Sequence, residues 1–310
     1  MGLNQSVLVC DQVNPILNEI LEKNGLKITY EPEITHEGIA EKIANFEVII
    51  VRSRTKITKE LIQKADKCQI IARVGVGLDN IDQTAAKEKN IRVINAVEGA
   101  MNAVAELVIG LMLSLAREIP RADREVRDGN WIKKELMGYE LKGKYLGIVG
   151  LGNIGKRLGR LARSLNMNII GFDVVPIDEE FSKEVGLMKA DLDTLLTSSD
   201  YISLHVPLLD STKHMISAEK IASMKNTARI INTSRGGVID EKALADALKT
   251  GKLAGAALDV FEVEPATSNE LAALPNFIST PHIGAQTKEA QSLAANVIAE
   301  KIIQILRGVI

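Results

Sequence analysis

Three glycines in the run LGIVGLGNIGKRLGRLA, residues 146–162, fall in the spacing G-x-G-x-x-G at Gly150, Gly152 and Gly155. Such a set either turns a strand tightly into a helix or holds the pyrophosphate of a dinucleotide, and the flanking residues decide which. The motif follows an apolar run, residues 146–150, and opens a segment with Ile154, Leu158 and Leu161 at helical spacing. In that setting the first glycine makes the turn, the second lets the backbone approach a phosphate, and the third lets helix pack on strand. Backbone N–H groups of Asn153 and Ile154, at the helix start, would face the anion. Eighteen residues beyond Gly155, Asp173 ends the next apolar run, where a carboxylate can accept hydrogen bonds from a ribose. The same charge repels a 2'-phosphate, so the cofactor read from these residues is NAD, with NADP disfavoured.

A cofactor cradle does not name a reaction. Of the four histidines, His282 follows Pro281 at the end of a strand-like run, a place where loops carry function. His36 reads as a surface residue, and His205 and His214 as structural or cofactor-adjacent. Arg235, in the run SRGG, offers either a planar fork for a carboxylate or a bridge between surface acids.

Positioning these groups requires parallel strands. Apolar runs at 7–10, 46–53, 69–77, 91–95, 146–150, 168–173, 201–207, 228–234, 255–260 and 276–281 alternate with helical periodicity. Their continuity, without strict alternation, suits strands covered on both faces, so the fold class is α/β with parallel sheets. A split into two sheets is expected at residues 95–144, which read as helical throughout. Within them 103–116 are apolar on all sides, yet too short to span a bilayer and interrupted by Glu106. A last amphipathic helix, 287–307, carries a stripe of Leu293, Val297, Ile298, Ile302, Ile305 and Leu306. Chain ends commonly lie close together, so this helix is expected to return to the N-terminal domain. The expected division is therefore 1–98 with 287–310 around an inserted 99–286.

Length and composition agree with this division. At 310 residues the chain is about two domains long. With 38 basic against 40 acidic side chains, no strong field selects nucleic acid or a membrane surface. The two cysteines, Cys10 and Cys68, are far apart and read as buried thiols, which suits a reducing cytoplasm and implies no metal site. The N-terminus lacks the basic and apolar regions of a signal peptide.

Three later segments, INTSRGGVID (231–240), ALDVFEVEP (257–265) and STPHIGAQT (279–287), resemble the three signatures of the D-isomer-specific 2-hydroxyacid dehydrogenases. With VRSRTKIT (51–58) and ARVGVGLDNID (72–82), the resemblance covers nearly the whole chain. It implies a Rossmann NAD-binding domain inserted in a flavodoxin-like substrate domain. Because the chain stops at Ile310, it also implies a short form without the C-terminal regulatory domains of many members.

The resemblance makes Arg235 the substrate-binding arginine, His282 the acid/base and Glu264 the orienting carboxylate, with Glu262 left as the alternative two residues away. The reaction needs these types, because hydride transfer from a 2-hydroxy acid accompanies loss of its hydroxyl proton and histidine titrates near neutrality. For the cofactor it adds Val206 and Pro207 near the adenine, with His205 beside them and Thr212 as a hydroxyl contact. Thr233 and Asp259 would face the nicotinamide, and the His282–Gly284–Ala285 loop would close the pocket.

For the substrate it adds Arg52, Ser53, Arg73, Gly75 and Val76 from the N-terminal domain, the last also near the cofactor, and Asn102 at the start of the linking helix. Several arginines suit an acid with two anionic ends, hence a phosphorylated 2-hydroxy acid such as 3-phosphoglycerate over glycerate. Lys133, with Lys134, would reach the phosphate from a neighbouring subunit if the 95–144 helices form a homodimer, or part of a homotetramer, as in relatives. A reductase for glyoxylate or hydroxypyruvate remains open, as does a non-catalytic NAD-sensing scaffold of the co-repressor kind.

Overall fold

The computed structural model describes residues 3–266 and 270–309. They fall into two compact units, Met1–Met101 with Ala285–Ile310, and Asn102–Gly284. The boundaries lie at 101/102 and 284/285 instead of 98/99 and 286/287, so Ala285, expected in the cofactor pocket, belongs to the first unit.

The first unit holds strands β1 (Ser6–Val9), β2 (Lys27–Tyr30), β3 (Val48–Val51), β4 (Ile70–Arg73) and β5 (Arg92–Asn95). They pair in parallel in the order β2-β1-β3-β4-β5. The apolar residues of β1, β3 and β4 are buried because helices cover both faces, with only Ser6 and Arg73 at strand ends partly exposed. These helices are α1 (Ile16–Lys23), α2 (His36–Lys42), α3 (Lys59–Lys64) and α4 (Gln83–Glu88), joined from the chain's end by α12 (Lys288–Leu306).

The last helix does lie in the N-terminal unit. Thr287 caps it, its hydroxyl accepting from the Ala290 N–H at 3.1 Å. Five of the six expected stripe residues, Val297, Ile298, Ile302, Ile305 and Leu306, pack into the first unit's core, and alanines extend the packed face. Ala290, Ala294, Ala295, Ile298, Ala299 and Ile302 are buried, whereas Leu293 is 47% exposed. Small side chains let the helix approach the sheet closely, and hydropathy alone does not reveal that preference. Strand β2, KITY, escapes the sequence reading because it is a half-exposed edge with too few apolar residues.

The second unit holds seven parallel strands: β6 (Tyr145–Val149), β7 (Asn168–Phe172), β8 (Met188–Lys189), β9 (Tyr201–Leu204), β10 (Arg229–Asn232), β11 (Gly255–Leu258) and β12 (Phe277–Ser279). Their order, β12-β11-β10-β9-β6-β7-β8, reverses direction at β6/β9 and is the doubly wound dinucleotide-binding order. Helices α7 (Asn153–Ser164), α8 (Glu179–Val185), α9 (Leu192–Ser198), α10 (Ala218–Ser223) and α11 (Glu241–Lys249) make the crossovers.

Residues 95–144 are not helical throughout. Helices α5 (Val97–Arg117) and α6 (Ile119–Arg127) end by 127, and apart from one 3-10 turn at Lys133–Glu135 the chain is irregular to β6, passing Gly129, Gly138 and Gly143. Helix α5 is also longer than its apolar stretch. Its 21 residues are long and apolar enough to cross a membrane by length and composition, with half of that stretch buried. Ala105, Val108, Met112 and Ala116 pack into the second unit's core, which accounts for the apolar content of one face.

One buried acid organises the first unit's functional edge. Asp11, 2% exposed, follows β1 and accepts from the backbone N–H groups of Arg52 and Thr55, the Thr55 hydroxyl at 2.7 Å and the Arg54 Nε at 3.0 Å. Arg54, although exposed, is tied into this network, its other nitrogens reaching the carbonyls of Cys10, Pro32 and Ile34. Replacing Asp11→Ala leaves these donors unpaired, so urea unfolding is expected to show a loss of about 2–4 kcal/mol. A change no larger than that of a surface substitution would contradict the network's role.

Candidate active site

The glycine loop joins β6 to α7. Gly150 has φ +92°, and a Cβ there would overlap the carbonyl oxygen of His205. A Cβ on Gly155 would overlap the carbonyl oxygen of Gly150, so helix and turn touch only because it is absent. Gly152 is the N-cap of α7, with no side-chain cap and no atom within 4 Å of where its Cβ would lie. The open space and the first-turn N–H groups of Asn153 and Ile154 form an anion cradle. Asp173 directly follows β7, and its carboxylate accepts from the Leu151 N–H at 2.6 Å and the Val175 N–H at 3.1 Å. That ties the acid to the loop while leaving oxygen lone pairs for a ribose.

Strand β9 leads into the other flank. The His205 N–H donates to the Val149 carbonyl at 2.7 Å, and its Nε2 lies 2.9 Å from the Ser203 hydroxyl. Burial pushes the His205 imidazole down to about 4, so it is neutral at physiological pH. Val206 and Pro207 follow. The Thr212 hydroxyl donates to the Pro207 carbonyl at 2.6 Å and accepts from the Leu209 N–H at 2.8 Å, closing its own turn.

The acid–base groups stand at the carboxyl ends of β10, β11 and β12, which are parallel neighbours and therefore deliver their following loops to one edge. After β11, Asp259 is 1% exposed. Its Oδ1 accepts from the Thr280 hydroxyl at 2.6 Å and the Ile283 N–H at 2.8 Å, and its Oδ2 from the Gly284 N–H at 2.8 Å. These bonds brace the turn at His282, whose backbone is left-handed at φ +55° and whose N–H donates to the Asp259 carbonyl at 2.9 Å. A histidine held in that region stores about 1–2 kcal/mol of strain, which the surrounding bonds offset. The observed partners give Asp259 a positioning job that the nicotinamide expectation did not include.

The His282 Nδ1 lies 2.8 Å from the Glu264 Oε2, while the other Glu264 oxygen accepts from the Phe261 N–H at 3.1 Å. Glu262, the alternative, instead meets the His214 Nε2 at 3.0 Å and the Glu241 N–H at 3.2 Å. The carboxylate therefore orients the imidazole by Nδ1 and leaves Nε2 for proton exchange.

On β10 the side chain of Asn232 shapes the arginine loop. Its amide donates to the Arg235 carbonyl at 2.8 Å, and its oxygen accepts from the Ser234 N–H and hydroxyl at 3.0 and 2.7 Å. Arg235 is half-buried and donates from Nη1 to the Ser234 carbonyl at 2.6 Å. A Cβ on Gly236 would overlap the Phe261 carbonyl, so the loops carrying Arg235 and Glu264 are in contact. Thr233 leaves a buried hydroxyl without a hydrogen-bond partner, a feature that fits a bound cofactor group at this edge. Sequence reasoning missed Asn232 and Thr280. Their only signal is an Asx or hydroxyl residue at a strand end, too common to single out.

Asn102 is exposed, its amide donating to Glu106 and its oxygen accepting from the Arg157 Nε at 2.7 Å. Lys133 is exposed on its 3-10 turn. In the first unit, Arg52 lines an open groove of about 610 Å3 with Gln12, Asn14, Gln286, Lys288 and Gln291. Its Nη1 donates to the Gln12 carbonyl at 3.2 Å, and desolvation lowers its pKa. Ser53 is exposed, and the Arg73 Nη1 donates to the Gly77 carbonyl. The carbonyl of Gly75 accepts from the Ala96 N–H at 2.8 Å, and that of Val76 from the Asn95 amide. The Ala285 carbonyl accepts from the Gln291 amide at 2.8 Å.

A doubly wound sheet with a glycine cradle, an acid at the second strand end and a carboxylate-held imidazole defines a nicotinamide-dependent dehydrogenase. Residues 109–284 match the model of the D-isomer specific 2-hydroxyacid dehydrogenase NAD binding domain. The chain belongs to that family. D-3-phosphoglycerate dehydrogenase of Methanocaldococcus jannaschii is 47% identical over 303 residues, 97% of this chain and 57% of that protein. The chain thus spans little more than half the length of that relative. Hydroxypyruvate reductase of Thermotoga maritima is 45% identical over 93% of both chains. The crystal structure of D-lactate dehydrogenase from Aquifex aeolicus, complexed with NAD and lactic acid, has a TM-score of 0.85 at 31% identity, covering 98% of this chain and 96% of that one.

His205 makes stability pH-dependent. Its folded pKa is depressed to about 4 from an unfolded value near 6.5, so the unfolded chain binds the proton first and stability falls as pH drops through that window. Part of the residue still reaches solvent, so the loss is expected to be about 2 kcal/mol, somewhat below the full shift. Urea unfolding of wild type and His205→Gln at pH 7 and pH 4 checks this. Equal losses in both proteins would exclude His205 as the source.

Proposed function

We propose that the chain oxidises D-3-phosphoglycerate to 3-phosphohydroxypyruvate with NAD, the entry step of serine biosynthesis. The observation that carries the reading is the 2.8 Å His282–Glu264 pair at the sheet edge that also carries the Arg235 loop. When bound, NAD supplies the hydride acceptor. His282 Nε2 takes the proton from the C2 hydroxyl as the C2–H bond breaks, and Glu264 holds the ring and balances its charge. The planar fork of Arg235 receives the substrate carboxylate and, in the reverse direction, polarises the carbonyl. Arg52 and Arg73 are the proposed donors to the phosphate.

A second reading, reduction of hydroxypyruvate or glyoxylate, is favoured by the match to the Thermotoga maritima hydroxypyruvate reductase over 93% of both chains. A homodimer is proposed from the exposed Val126, Trp131 and Met137, apolar surface that a second copy would cover. Burial of Cys10 and Cys68, which pushes both thiols up to about 12, is consistent with a proposed cytoplasmic location.

NAD reduction at alkaline pH, compared across 3-phosphoglycerate, glycerate, lactate and malate, tests the substrate. The expected result is the highest kcat/KM for 3-phosphoglycerate, with Arg52→Ala lowering it about tenfold or more while barely affecting glycerate. Preference for an unphosphorylated acid would overturn the assignment. His282→Ala is expected to lower kcat by about two to four powers of ten with NAD affinity retained, and near-normal turnover would remove His282 from the chemistry.

A further inference from the structure

The opposite end of the second unit's sheet carries a cavity that the dehydrogenase reaction does not use. It has a volume of about 170 Å3 and opens at the amino ends of β9 and β10, lined by Tyr139, Lys144, Asp200, Tyr201, Thr227 and Arg229. The two ends of β10 are therefore differently equipped. Thr233 and Arg235 follow its carboxyl end, and Arg229 begins it.

Four features of this cavity point to a ligand. Tyr201 is 1% exposed, yet its buried hydroxyl has no hydrogen-bond partner, a cost the fold normally avoids. The Arg229 guanidinium lies 5.1 Å from the Tyr139 ring and 5.6 Å from the Tyr201 ring, within cation–π reach of both. Among the described residues, the only hydrogen bond this guanidinium makes is a 3.3 Å contact from Nη1 to the Thr227 carbonyl. The Lys144 ammonium stands 5.9 Å from the Tyr139 ring and has no ion pair within 4.0 Å among the described residues.

The one acid present does not neutralise these cations. Asp200 is held by the Lys225 ammonium at 2.9 Å and the Tyr145 N–H at 2.9 Å. With Asp200 bonded directly to Lys225, the lining holds two cations, Lys144 and Arg229, against this single acid, around an orphan hydroxyl donor. Arginine, lysine and a phenol donor together suit the oxygens of an anion.

We propose that this cavity binds a small oxyanion, a phosphate or carboxylate group, at a site separate from the catalytic edge. The anion's oxygens take the Tyr201 hydroxyl, the Arg229 fork and the Lys144 ammonium, and the cavity volume limits the ligand to a compact molecule.

Inorganic phosphate and succinate, each titrated separately into the full chain against sodium chloride of equal ionic strength, test the proposal by Tm and calorimetric Kd. The expected result is a Tm rise with at least one of them, kept in Arg235→Gln and weakened about tenfold in Kd by Lys144→Gln and by Tyr201→Phe. Response to phosphate alone assigns a phosphate-bearing ligand, and response to succinate assigns a carboxylate. Tyr201→Phe removes only the orphan oxygen, so without ligand it is expected to fold at least as stably as wild type. Loss of the response in Arg235→Gln but not in Lys144→Gln would move the binding to the catalytic edge and overturn the proposal. No response to either anion up to about 10 mM would do the same.

Discussion

Three hydrogen bonds from the 280–284 turn converge on the carboxylate of Asp259, and the placement of His282 depends on them. A histidine backbone at φ +55° does not hold itself in that conformation. The carboxylate is out of water, so each of its bonds is strong and each donor would be costly to leave unpaired. The turn is thus fixed from below, and Glu264 fixes the ring from the side. Orientation of the imidazole follows from a rigid frame made before substrate arrives.

The first unit uses the same device. Asp11, buried at the end of β1, gathers the Arg52–Thr55 loop as Asp259 gathers the His282 turn. In both units a strand-end acid replaces backbone partners that an irregular loop cannot supply for itself. Functional loops at the carboxyl ends of parallel strands can therefore be held in place without regular secondary structure.

Within the second unit the parallel order brings remote segments together. β10, β11 and β12 are neighbours, so residues 233–236, 259–264 and 280–284 meet although some 50 residues of chain separate the first from the last. Close backbone approach at Gly236 then makes the Arg235 and Glu264 loops one surface. The glycine cradle obeys the same rule at β6, where Gly150 and Gly155 are each pressed against a carbonyl.

Much of this was legible in the residues alone. Continuous apolar runs specify strands buried on both faces, because only helices on each side can cover them, and the glycine spacing with Asp173 specifies a nucleotide cradle through local backbone geometry. Patterns that local chemistry does not dictate were decided by tertiary structure. The edge strand β2 has no hydropathy signature, the alanine face of α12 is chosen by how near the helix must lie, and the irregular segment before β6 follows glycines that a helical period overlooks. The choice between Glu262 and Glu264 was likewise settled only in three dimensions. Both acids lie on one loop, and which of them meets an imidazole depends on where β12 and the His214 turn bring their histidines.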